Sequence, residues 1–155
     1  MTSTLTAATM TVTVTESINL NGTNQGSTNT LSLASIAEVS KRIVNVPASE
    51  VEVVAMSTAV AAGTFVESTV KYIRLTNLDD TNHITLTFKD EDATEVALLL
   101  DKGQSFIYNG DISAGVVNTM HAGGSALTVS LNDLVNITAL ADTAACDMEI
   151  LVAST

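Results

Sequence analysis

Residues 9–20 read T-M-T-V-T-V-T-E-S-I-N-L. Met10, Val12, Val14, Ile18 and Leu20 fall on one parity, and Thr9, Thr11, Thr13, Thr15, Ser17 and Asn19 fall on the other. Period-two alternation places the two sets on opposite faces of a strand. β-branched Thr and Val suit a pleated, half-buried surface. The stretch predicts a strand over 9–20 and sets an all-β reading for the chain. Glu16 interrupts the apolar parity. It is either an inward-aimed charge that discourages edge-to-edge pairing or the mark of a bulge that turns it outward.

Residues 1–8 read as a loose, flexible N-terminal arm, and 9–155 as a single β-sandwich domain. Asn21-Gly22 opens a polar loop, N-G-T-N-Q-G-S-T-N-T. Residues 31–47 read as strand, with a possible short helix over 35–41 where Ile36, Val39 and Ile43 form a stripe. Pro47, the only proline, lacks an N–H and ends that strand. Strands follow over 51–57, 70–76 and 83–89, with 58–68 irregular. The turn-rich linker 77–82 predicts a hairpin between the last two. Residues 89–94 turn again. Strands 94–100 and 104–108 flank Asp101-Lys102-Gly103 as a second predicted hairpin. Asn109-Gly110 turns, residues 111–126 are Gly-rich, and 126–131, 134–140 and 148–153 complete the set. Roughly nine or ten short strands without intervening helices predict an antiparallel β-sandwich or jelly roll.

The composition bounds the function. Hydrophobic residues make up 46% of the 155 and charged residues 15%, below the ~25% of ordinary soluble domains. With 3% aromatics and no Trp, the core must be Val, Ile, Leu and Ala. So apolar a chain implies either a thick core or a surface covered by other subunits, which points to an oligomer or a coat. No apolar run approaches the ~20 residues of a spanning helix, so no membrane partner is expected. The N-terminus lacks the basic and continuous apolar regions of a secretory signal. The net charge is −11, and the six basic residues (Lys41, Arg42, Lys71, Arg74, Lys89, Lys102) all lie in the middle of the chain. A polyanion would be repelled, so nucleic acid is not an expected partner.

No constellation for catalysis or cofactor binding is legible, and the chain reads as a non-enzyme. The histidines are His83, on the outward parity of a predicted strand, and His121, in H-A-G-G-S. Neither belongs to a nucleophile-elbow pattern. No transition-metal spacing and no phosphate-binding glycine motif occurs. Asp79-Asp80 and Asp90-Glu91-Asp92 lie in predicted turns of the kind from which calcium takes oxygen ligands, but at no known calcium-loop spacing. They read first as solvated turns. Cys146 is the single cysteine, so no internal disulfide can form; it reads as a small buried hydrophobe. The T-x-T run suggests ordered water rows, as on ice-binding surfaces, but only one long run is present.

Several segments together resemble small structural proteins of marine tailed bacteriophages. They are E-S-I-N-L-N-G, I-A-E-V-S-K-R-I-V-N-V-P, K-Y-I-R-L-T-N-L-D-D-T-N-H-I-T-L, L-D-K-G-Q-S-F-I-Y and A-D-T-A-A-C-D-M-E-I-L-V-A-S-T. The resemblance spans nearly the whole chain from about residue 15 and consists of strand-and-turn patterns, with no functional residue to carry over. It implies a virion β-sandwich of the capsid decoration or cement type. Such a homotrimer would bind major capsid protein on the phage head surface after synthesis in the bacterial cytoplasm. A receptor- or glycan-binding fibre module is the alternative it leaves open.

Overall fold

The structure, a computed structural model, describes residues 4–109, 116–117 and 131–155. Its strands are β1 (Ala8–Thr15), β2 (Asn19–Leu20), β3 (Thr23–Asn24), β4 (Thr28–Ile36), β5 (Glu38–Val46) and β6 (Val51–Ser57). β7 (Phe65–Val66), β8 (Val70–Asn77), β9 (Ile84–Asp90), β10 (Glu95–Leu100) and β11 (Ser105–Asn109) follow. β12 (Val116–Val117), β13 (Leu131–Asn132), β14 (Leu134–Ala141) and β15 (Cys146–Ser154) end the series. Among the described residues the helical content is one 3-10 turn, Glu67–Thr69.

Two antiparallel sheets pack face to face. One has the order β10-β9-β14-β6, extended by a short parallel pairing of β7 on β6; the other has the order β11-β8-β15-β5. The pairings follow one rule. β9 pairs with β10, β8 with β11, β6 with β14 and β5 with β15. Nested pairs of this kind are what one long hairpin gives when it is rolled so that successive pairs alternate between sheets. The sandwich is therefore a jelly roll.

The rolled topology corrects two expectations. β8 and β9 do not form a hairpin, because β8 belongs to the four-stranded sheet and β9 to the five-stranded one. The same holds for β10 and β11. Both linkers are arches that carry the chain across the core. Asn77 organises them together: it is fully buried, its side-chain amide donates to Asn82 O (2.9 Å) and Leu100 O (3.2 Å), and its Oδ1 accepts from Asp79 N (3.0 Å). Asn77 N also donates to Gln104 O (3.0 Å). The hairpin that does form locally is β9–β10, through the turn predicted over 89–94.

The core follows the predicted parity. Ile84, Leu86 and Phe88 point inward from β9, and Ile137, Ala139 and Ala141 from β14. Ile73 and Leu75 from β8 face them, with Met148, Ile150 and Val152 from β15. Cys146 is buried among them, as expected, and its Sγ lies 3.5 Å from Ala144 O. Burial pushes its thiol above the ordinary range, with Asp79 adding to the shift.

The segment before β5 differs most from the sequence reading. Residues 23–30 are not a polar loop. Most of them return as β3 along β2 and as β4 along β1, and the turn is the two residues Asn21 and Gly22 alone. Nor does 35–41 form a helix. Ser35 takes a positive φ (62°), and the single residue Ala37 separates β4, paired with β1, from β5, paired with β15. The β-branched run Ile43, Val44 and Val46 and two available strand partners outweigh a three-residue stripe.

Candidate functional site

The feature the chain presents outward is the hairpin of residues 8–36. Its register is constant from Met10↔Leu33 to Leu20↔Thr23, interrupted around Glu16–Ile18 and Gln25–Ser27 but still bridged there by Glu16 N→Ser27 O (2.8 Å) and Gln25 N→Ile18 O (2.9 Å). Asn21 (φ 52°) and Gly22 (φ 82°) both have positive φ, the signature of the type I′ turn that matches strand twist. At the interruption the backbones nearly touch: a Cβ on Gly26 would lie 2.0 Å from the Glu16 carbonyl oxygen. One face of the ladder carries hydroxyls, Thr11 opposite Ser32, Thr13 opposite Thr30 and Thr15 opposite Thr28. The other carries Met10, Val12, Val14, Ile18 and Leu20 along one leg, with Leu31 and Leu33 on the other.

Only the base of the apolar face is covered. Val12 (8% exposed) and Ile36 pack with Tyr72 of β8 and Ala153 of β15, on the side of the four-stranded sheet that faces away from the core. Beyond Val12 the row is open: Ile18 is 54% and Leu20 59% exposed. From Thr13 to the turn the arm runs on by about 30 Å at ~3.3 Å per residue. Glu16 is exposed and accepts from Ser27 Oγ (2.8 Å), the residue opposite it. The register is the same on either side, so no bulge is present there and Glu16 keeps the parity of Val14 and Ile18 on a stretch that is open to solvent.

The outer face of the four-stranded sheet continues past that base. On β5, Val39 (61% exposed) and Ile43 (62%) flank Lys41. Lys41 Nζ lies 3.0 Å from one oxygen of Glu149, and Arg74 holds the other. These two partners, Lys41 first, keep the Glu149 carboxyl below its ordinary range. Asn45 Nδ2 donates to Asp147 Oδ1 (2.9 Å).

The residues that sequence flagged for chemistry are structural or apart. Asp79-Asp80 and Asp90-Glu91-Asp92 sit at opposite ends of β9. Asp79 Oδ1 accepts from Thr81 N (2.8 Å) and Asn82 N (2.6 Å), which lowers its pKa and closes the arch. Asp90 is buried and accepts from Thr94 N (2.6 Å), Asp92 N (3.1 Å) and Asn132 Nδ2 (3.2 Å). Asn132 also donates to Asp92 Oδ2 (2.8 Å). Sequence reasoning missed Asn132, which lies far from the turn along the chain and belongs to no motif. Nearby, burial first, then the charges of Asp133 and Glu91, raise the pKa of Glu67. Among the described residues no group of three or more His, Cys, Asp or Glu could hold a metal ion. His83 Nδ1 lies 3.8 Å from Asp142 Oδ2. His121 lies outside the described residues.

Along the β5 edge of the sandwich, a cleft of about 440 Å³ opens between β5 and β7. Glu38, Arg42, Thr64, Phe65 and Thr69 are among its lining, and the Arg42 guanidinium donates to Val53 O. The charged side chains of that lining are Glu38 and Arg42. Among the described residues no helix is long and apolar enough to cross a membrane. No protein-family model matches the chain, and a search of curated proteins returns no match.

Proposed function

We propose that this chain is a structural virion protein of a tailed bacteriophage. In this reading it is a capsid decoration or cement subunit that binds between major capsid protein subunits, and it is a homotrimer rather than an enzyme. The observation that carries the reading is the arm: a hairpin reaching about 30 Å beyond its last buried residue with an uncovered aliphatic row. Such an arm suits a clamp that grips an assembled surface, and a clamp specific for the assembled state stabilises a shell by mass action. The phage-like segments and the low charge also support it. Jelly rolls recur in viral capsid domains, which agrees at the level of fold analogy alone.

The test is mass and copy number in purified particles. Hundreds of copies per head, and heads that lose heat resistance without the chain, are expected. Absence from purified virions refutes the proposal. A receptor- or glycan-binding fibre module is the second reading, favoured by the polar cleft beside Arg42 and Phe65. It predicts retention of host envelope glycans by immobilised protein and a handful of copies per particle.

A further inference from the structure

We propose that the arm of one copy packs on strand β5 of a second copy, with Val14, Glu16 and Ile18 lying along Val39, Lys41 and Ile43. The two rows have the same design. Each has an aliphatic, a charge and an aliphatic at alternate positions. Residues 39, 41 and 43 lie on the outer face of β5, successive side chains about 7 Å apart. Residues 14, 16 and 18 lie along the first leg of the arm, whose pairing is interrupted at Glu16–Ile18 but keeps its register. The charges are opposite. Glu16 is the one ionisable side chain between residues 4 and 37, and Lys41 is the central residue of its row.

Both rows are uncovered within a single copy, so they do not satisfy each other intramolecularly. The apolar face that would dock is continuous with the one that already packs through Val12 onto the outer side of the same sheet. The receiving face also suits an approach by a chain of net charge −11. Lys41 and Arg74 offset Asp147 and Glu149 there, while Asp79, Asp80, Asp142, Glu91 and Asp92 lie in the turns at the two ends of the sandwich. Arm-to-arm packing is disfavoured on the same ground, because it would set Glu16 against Glu16.

The footprint is modest. An arm about 30 Å long and ~10 Å wide covers roughly 300 Å², and each copy gives one arm and receives one, so about 600 Å² per copy. Stable interfaces bury about 800 Å² per partner, so the association is reversible and concentration-dependent in solution. Giving and receiving through different surfaces closes as a two-fold pair that exchanges arms or as a ring, and the limiting mass in solution tells the two apart. The inference rests on the homo-oligomer element of the proposed function and not on its phage element.

Sedimentation equilibrium of the full chain across a dilution series tests it, with circular dichroism to confirm that each variant folds. The wild type is expected to dissociate on dilution. Glu16→Lys and Lys41→Glu should each weaken association by about tenfold or more, since each sets like charges together at a covered contact. The double variant carrying both exchanges should recover most of the loss. A wild type monomeric at every concentration, an oligomer unmoved by the single exchanges, or a double variant no better than either single one overturns the inference. A monomer that still decorates particles would remove this contact and leave the proposed function standing.

Discussion

Asn77→Ala is the most informative perturbation of the body, because one buried amide ties both arches together. The substitution removes three hydrogen bonds, to Asn82 O, Leu100 O and Asp79 N. At a net ~1 kcal/mol each the loss is about 3 kcal/mol, and a buried carbonyl left without a partner raises it further. For a domain of this size each kcal/mol moves Tm by ~2–4 °C, so Tm should fall by about 6–12 °C. Far-ultraviolet circular dichroism on heating, with urea unfolding to give the free energy, measures both. Thr143→Ala is the control: its hydroxyl donates to Asn82 Oδ1 (2.8 Å) at an exposed position and should cost under about 0.5 kcal/mol. An Asn77→Ala variant destabilised by less than about 1 kcal/mol would refute the claim that this side chain holds the arches.

Three further outcomes are expected. Leu86→Ala, at a fully buried site, should cost about 3–5 kcal/mol in urea unfolding, while Leu99→Ala on the exposed side of β10 should stay within about 0.5 kcal/mol. Gly26→Ala drives a methyl into the Glu16 carbonyl, so amide exchange at Glu16, Ile18 and Gln25 should accelerate while the body melts within about 2 °C of wild type. On acidification, the carboxyls of Asp79, Glu50 and Glu149, held below their ordinary values of 3.8, 4.5 and 4.5, contribute stability that is complete above those values and is lost as pH falls through the depressed ones. The urea midpoint should therefore be flat near neutrality and fall below about pH 4.5, with a shallower fall in Asp79→Asn; identical acid limbs would contradict this.

The central strands of the body were legible where one face is buried, as in β9. Ile84, Leu86 and Phe88 against His83, Thr85 and Thr87 is a clean alternation, and it survives into the structure. The connections were not legible, since 77–83 and 101–104 carry the same turn residues whether the chain doubles back or crosses the core. What distinguishes them is the partner of Asn77, set by tertiary contact rather than local chemistry. The returning leg of the arm escaped detection for a different reason. Thr23–Asn29 has solvent on both faces, so no hydrophobic period forms, and the Asn-Gly signal that closes the hairpin reads equally well as the start of a loop. The exposed aliphatics of the arm were visible as residues, but their lack of cover is a property of three dimensions.

The nesting of the pairs also governs when the body can take shape. β9 and β10 meet across a short turn, while each outer pair encloses all the chain inside it, and β5 and β15 close last. β15 is not a peripheral addition: it lies between β5 and β8, and Val46, Ile73 and Leu75 depend on its arrival for cover. A nascent chain on the ribosome therefore carries two unsatisfied strand edges and their aliphatic side chains until residues 146–154 emerge. Its solubility through that interval falls to the acids in the turns already made.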